Sequence, residues 1–199
     1  MIYLDAGATT LQKPPAVALA VQSAMCRMAT PGRGGHPPAM RAADAVYDCR
    51  CLAGALFDAQ PEQVVFTMNA THALNLAIKT LVKPGGRAVI SGFEHNAVLR
   101  PLHHLGAEII VAGRRLFDPA DTISAFDRAI TPGTSAVICT HVSNVFGYIL
   151  PVEEIAALCR ARGVPFVLDA SQSAGLLPVR LAELGADFIG MPGHKALYG

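Results

Sequence analysis

Lys195 stands in a setting that could do covalent chemistry. A short apolar run from 187 to 191 stops at Pro192-Gly193, and His194 and Lys195 follow at once. The run has the length of a buried strand, and Pro-Gly ends it. A lysine just past a buried strand places its amine at the rim of an α/β sheet, where such folds keep ligands. A lysine amine that is neutral at working pH condenses readily with carbonyl cofactors. The chain ends four residues later, at Gly199.

Further polar clusters follow other apolar runs. They are Thr67-Met68-Asn69-Ala70-Thr71-His72, Phe93-Glu94-His95-Asn96, His141-Val142-Ser143-Asn144 and Asp169-Ala170-Ser171-Gln172. One such cluster could be a set of helix caps. Four of them on the same rim as Lys195 are better explained by a cofactor site. Asn69-Ala70-Thr71 can open a helix whose free N–H groups and positive dipole end attract an anion, with the Thr71 hydroxyl adding a bond. The same residues also read as a plain N-cap. Asp169, a carboxylate at the end of a buried strand, demands a cation or N–H donors. It reads either as a cap or structural ion pair, or as the anionic partner of a protonated pyridine nitrogen. Gln172 and Asn144 could each donate a side-chain N–H to a phenolate oxygen, or simply satisfy loop backbone. His95 reads as a surface or capping histidine, or as a ring that stacks on a flat cofactor and shuttles protons. Glu94 reads as structural, in an ion pair or a cap.

Alternating elements must position these residues. Helices are expected over 14–29, 40–57, 70–82, 96–105, 119–130 and 152–162. Strands are expected over 63–67, 87–91, 108–112, 135–140, 165–169 and 187–190. Residues 30–38, rich in Gly and Pro, form a loop. Continuous apolar strands alternating with helices predict an α/β fold, a mostly parallel (mixed) sheet covered by helices on both faces.

Composition narrows the function. Of 199 residues, 52% are hydrophobic and 16% charged, which describes a core-rich globular chain. A net charge of +1 gives no electrostatic case for nucleic acid or an anionic membrane. No apolar run has the length of a membrane span. Met1–Asp5 has no basic n-region, so no signal peptide is expected. The five cysteines are Cys26, Cys49, Cys51, Cys139 and Cys159. They lack metal or redox spacing, which predicts reduced thiols and a cytoplasmic protein, with no metal site.

Seven motifs in order resemble the class V aminotransferase family of fold-type I pyridoxal 5'-phosphate (PLP) enzymes. Within it the likeness is to cysteine desulfurases and selenocysteine lyases. The motifs are YLDAGATT at 3–10, RGGH at 33–36, FTMNATHALN at 66–75, EHNAVLRPL at 94–102, HVSNVFGYILPVEEI at 141–155, VLDASQSAG at 167–175 and GHKALYG at 193–199. The resemblance implies that Lys195 is the Schiff-base lysine and the proton carrier at the substrate α-carbon. It implies that Asp169 keeps the pyridine nitrogen protonated and that His95 stacks on the ring and assists proton transfer. Gln172 and Asn144 would contact the phenolate oxygen or the substrate. Thr71, the Ala70 backbone and His194 would hold the phosphate.

By the same resemblance, residues 1–199 are an incomplete PLP-binding large domain, led into by a segment of about residues 1–35. A C-terminal small domain is absent. That part carries the nucleophilic cysteine and the substrate-carboxylate arginine in desulfurases, and no cysteine of this chain lies in a matching segment. The implied reaction takes L-cysteine to alanine and passes sulfur to an enzyme thiolate. A homodimer and a sulfur-acceptor protein are the implied partners. Other class V chemistries (a lyase acting on L-selenocysteine, a transaminase, a β-lyase) and an inactive PLP-binding remnant are the alternatives. The chain departs from the family pattern at Ala6, where Asn is usual, at Ala70, where a hydroxyl is frequent, and at Pro192, where Ser or Thr is common. Three lost polar groups predict weaker cofactor binding or compensation elsewhere.

Overall fold

The computed structural model describes residues 2–199. Five strands form one sheet: β1 (Arg87–Ser91), β2 (Glu108–Ala112), β3 (Thr134–Thr140), β4 (Phe166–Asp169) and β5 (Phe188–Gly190). Their order across the sheet is β2-β1-β3-β4-β5, and every pairing is parallel. The expected admixture of antiparallel pairing is therefore not found among these strands.

Alternation along the strands divides the core. Ala88 and Ile90 of β1, Ala136 and Ile138 of β3 and Val167 of β4 pack with Leu74, Ile78, Val98 and Leu102 from the helices on one face. Val89, Val137, Cys139, Phe166 and Leu168 point to the other face, against Phe126, Ile155 and Cys159. Side chains that alternate in this way on a sheet with two apolar faces need helices on both sides. The first face is covered by α3 (Ala70–Leu81) and α4 (Asn96–His104), the second by α5 (Pro119–Ala129) and α6 (Val152–Arg162). Each fully buried Leu, Ile or Phe contributes about 1.5–3 kcal/mol relative to exposure.

Local signals explain where elements start and stop. In α6, Glu153 and Glu154 sit in the first turn and Arg160 and Arg162 in the last, complementing the helix dipole, and Gly163 ends it at φ 61°. Asp118 caps α5 by accepting the Asp121 N–H at 2.9 Å. A four-residue helix, α7 (Leu181–Leu184), lies between β4 and β5, where the sequence pattern predicts no element.

Two helices lie ahead of the sheet, α1 (Pro15–Arg27) and α2 (Pro37–Phe57). Their proline starts agree with a fixed φ at the first helical position. The strand expected over 63–67 does not form. Pro61–Gln63 make a 3-10 turn, and 64–67 run without a ladder. Val65 is 70% exposed and Phe66 51%, with the Arg50 guanidinium 5.8 Å from the Phe66 ring centre. An apolar run becomes a strand only by pairing with another strand, and this one pairs with neither outer strand of the sheet, β2 or β5.

Candidate functional site

Three of the four polar clusters, at 93–96, 141–144 and 169–172, follow β1, β3 and β4, and Lys195 follows β5, so the parallel sheet gathers them along one edge; the cluster at 67–72 follows no strand and opens α3. Asp169 is the last residue of β4 and is 2% exposed. Its Oδ1 accepts the Ser171 N–H at 2.9 Å, while its backbone carbonyl accepts the His141 N–H at 2.9 Å. Lys195 lies past β5, partly buried. Burial lowers its amine pKa, and the negative charge of Asp169 acts in the opposite sense. The two groups therefore share one electrostatic environment, and the balance leaves a lysine closer to neutrality than a surface amine.

Helix α3 reaches the same edge by packing on β5. A Cβ on Gly190 would lie 2.8 Å from Leu74 Cδ2, so a larger residue there would have to displace the Leu74 side chain. At the start of α3, Asn69 Oδ1 accepts the His72 N–H at 2.9 Å and the Asn69 carbonyl accepts the Ala73 N–H. The N–H groups of Ala70 and Thr71 keep no acceptor among the described residues. Both readings of this segment hold at once: Asn69 caps, and the next two N–H groups remain open to an anion.

His95 is the N-cap of α4, and its Nδ1 accepts the Ala97 N–H at 3.1 Å. In the neutral ring the proton then resides on Nε2, which faces away from that bond. The preceding residue differs from expectation. Glu94 makes no ion pair among the described residues; its carboxyl is buried between β1 and β3. Oε1 accepts the Ser91 hydroxyl and, at 2.7 Å, the Thr140 N–H. Desolvation pushes its pKa up to about 8, with Ser91 opposing and Asp169 adding to the rise.

The N-terminal segment closes over the lysine loop. Thr10 donates its hydroxyl to the Lys195 carbonyl, and its N–H reaches the His194 carbonyl at 3.2 Å. The Thr9 hydroxyl donates to the His194 carbonyl at 3.1 Å and lies 3.2 Å from His194 Nδ1. Gln172 Nε2 donates to the Gly7 carbonyl at 3.1 Å. Gln172 and His194 thus spend polar atoms on residues 7–10, and Asn144 sits in an exposed turn beyond β3. The fold brings Lys195, Asp169 and Gln172 to the ends of β4 and β5. His95 comes from β1, two places across the sheet from β4.

Residues 2–199 match the aminotransferase class-V family. The chain belongs to that family. It is 34% identical over its whole length to a cysteine desulfurase IscS of Pectobacterium carotovorum and 35% identical to one of Escherichia coli O139:H28. The chain spans about half the length of these curated relatives, 51% in each case. Among solved structures, the apo cysteine desulfurase of Thermococcus onnurineus NA1 superposes with a TM-score of 0.89 at 31% identity, over 100% of this chain and 51% of that one. SspA in complex with cysteine superposes at 0.87 and 26% identity, over 98% of this chain and 58% of that one.

In this class-V aminotransferase chain, sequence reasoning missed the clamp made by Thr9 and Thr10 and the burial of Glu94. Two adjacent hydroxyls in the first motif were the available signal for the clamp. Nothing in the sequence around Glu94 marks a carboxyl without a cation.

Proposed function

We propose that this chain forms the cofactor-binding part of a PLP-dependent cysteine desulfurase-like enzyme acting on L-cysteine. The observation that carries the reading is the pairing of a partly buried Lys195, its amine pKa lowered by burial, with the buried carboxylate of Asp169 at one sheet edge. The residues fit the cofactor. The open N–H groups of Ala70 and Thr71, with the Thr71 hydroxyl, would hold the phosphate. Asp169 would hold a proton on the pyridine nitrogen, and Lys195 Nζ would be the amine that anchors the aldehyde, with loss of water. PLP when bound supplies an electron sink for bonds at the substrate α-carbon.

The chain's own groups do the rest. Lys195 Nζ carries the proton to and from the α-carbon, a role that suits an amine brought toward neutrality by burial. His95 can stack on the ring and offer its Nε2 proton, because Nδ1 is already committed to Ala97. Asn144 and Gln172 would supply amide N–H groups to the phenolate oxygen, Gln172 once it releases Gly7. His194 completes the phosphate side from the loop that Thr9 and Thr10 clamp.

The two buried cysteines do not suit the sulfur-accepting role. Burial raises the Cys139 thiol well above its usual range and pushes Cys159 up to about 12. Cys26, Cys49 and Cys51 lie on α1 and α2. The nucleophilic thiolate and the carboxylate-binding arginine would come from sequence outside residues 1–199, as would a small domain. A homodimer, a sulfur-acceptor protein and a cytoplasmic setting complete the proposal. No helix among the described residues is long and apolar enough to cross a membrane.

Absorption spectroscopy tests the reading. PLP added to the purified chain should give a visible band that Lys195→Ala abolishes, and L-cysteine should shift that band. A visible band that survives in Lys195→Ala, or no band in either protein, would overturn it.

A further inference from the structure

Glu94 is one of the buried ionisable groups that the mechanism proposed above leaves unused. The Glu94 carboxyl lies between β1 and β3, in the loop that delivers His95. Two donors, the Ser91 hydroxyl and the Thr140 N–H, converge on the same oxygen, Oε1. The other oxygen, Oε2, is buried and meets neither a donor nor an acceptor among the described residues; an unpartnered O–H there costs far less than an uncompensated buried charge. An ionised carboxylate shares its charge over both oxygens and, out of water, requires a cation or donors at each. The groups that face it supply neither. Its own loop offers Ser91. From β3 come Thr140 and the Cys139 thiol, and from β4 comes Asp169, whose negative charge disfavours a second one nearby. Lys195 acts on Asp169, not on Glu94.

We infer that Glu94 is held as a neutral carboxylic acid, protonated on Oε2, and serves as a positioning residue that ties the His95 loop to β3 and leaves Asp169 as the ionised carboxylate of this edge. Through Ser91 and Thr140 the acid pins the start of α4, and so the imidazole of His95, to the end of the sheet. By staying neutral it adds no second negative charge beside the group that faces the cofactor nitrogen. The positioning half of the inference rests on the PLP reading; the protonation half does not.

Two measurements test it. The first compares the pH profile of urea stability in wild type and Glu94→Gln, without cofactor. The folded-state pKa is raised above the ordinary 4.5 to about 8. The unfolded chain therefore releases this proton first, and stability falls as pH rises through that window. The wild-type unfolding constant should rise by about tenfold per pH unit between roughly pH 5 and 8 relative to Glu94→Gln, whose neutral amide cannot ionise. A flat difference, or one of opposite sign, overturns the neutral acid.

The second measurement reads PLP binding near neutral pH. Glu94→Gln should keep the visible band and its affinity within about twofold. Glu94→Ala, which strands the Thr140 N–H, should weaken PLP binding by about tenfold, the factor expected for losing about one hydrogen bond. Ser91→Ala serves in its place if Glu94→Ala does not fold. Unchanged affinity in the loosened variant overturns the positioning role. Absence of PLP binding in wild type removes both that role and the proposed function, while the pH profile still decides the protonation state.

Discussion

Helix α1 and strand β3 are both apolar segments, yet they have opposite fates. Every residue of α1 escapes full burial, and Leu19, Val21 and Met25 are 64%, 55% and 81% exposed. Six of the seven residues of β3 are buried, because β1 and β4 flank it and helices cover both faces. Apolar composition alone therefore does not decide burial in this chain; a partner surface does. The sheet finds most of its partners within residues 70–190, whereas α1 packs on α2, and α2 buries only Ala39, Ala42, Gly54 and Phe57, the last of which joins the core of the second face. The candidate site lies on the well-packed side of this contrast. Its residues sit on strand ends and helix starts held by a dense core, which suits a site that must fix a ring and a phosphate to within fractions of an ångström.

The largest effect that could break this contrast comes from the core. Phe126, fully buried under the sheet, should cost about 3–5 kcal/mol when replaced by Ala, read as a lower urea midpoint. The close approach of α3 to β5 comes next. Gly190→Ala places a methyl group 2.8 Å from Leu74 Cδ2 and should cost about 1–3 kcal/mol. Because β5 leads to Lys195, the same variant should weaken PLP binding. Adding Leu74→Ala should restore part of both losses, and strictly additive effects would separate the site from this contact. The smallest effect belongs to α1: Leu19→Ala should move stability by no more than about 0.5 kcal/mol. A cost comparable to that of Phe126→Ala would show that α1 is packed in solution after all.

The sequence made the sheet legible where apolar runs were bounded by turn residues. Strands β1 and β2 agree with the expected spans residue for residue, and β3, β4 and β5 differ by one residue at the start. The run at 63–67 is equally strand-like in pattern, but strand formation depends on pairing with another strand, which no local pattern encodes. The placement of the polar clusters was legible in part, since parallel strands bring their C-terminal ends to one edge, and Asn69 and His95 there also serve as the helix caps that the sequence allowed. What stayed hidden were contacts between residues far apart in the chain. Gln172 reaches Gly7, Thr10 reaches Lys195 and Thr140 reaches Glu94, each pair joined only by the folded topology. Glu94 shows the point most clearly: beside His95 it reads as an ordinary surface acid, and only the fold buries it.

The central claim is that one amine, set beside Asp169, is the covalent anchor for PLP. The chain has four lysines: Lys13, Lys79, Lys83 and Lys195. Borohydride reduction of the PLP-treated protein, followed by peptide mass mapping, reads directly which of them carries the cofactor. The account predicts stoichiometric label on the peptide containing Lys195 and essentially none elsewhere. Label spread over Lys13, Lys79 and Lys83, or an unmodified Lys195, would contradict it.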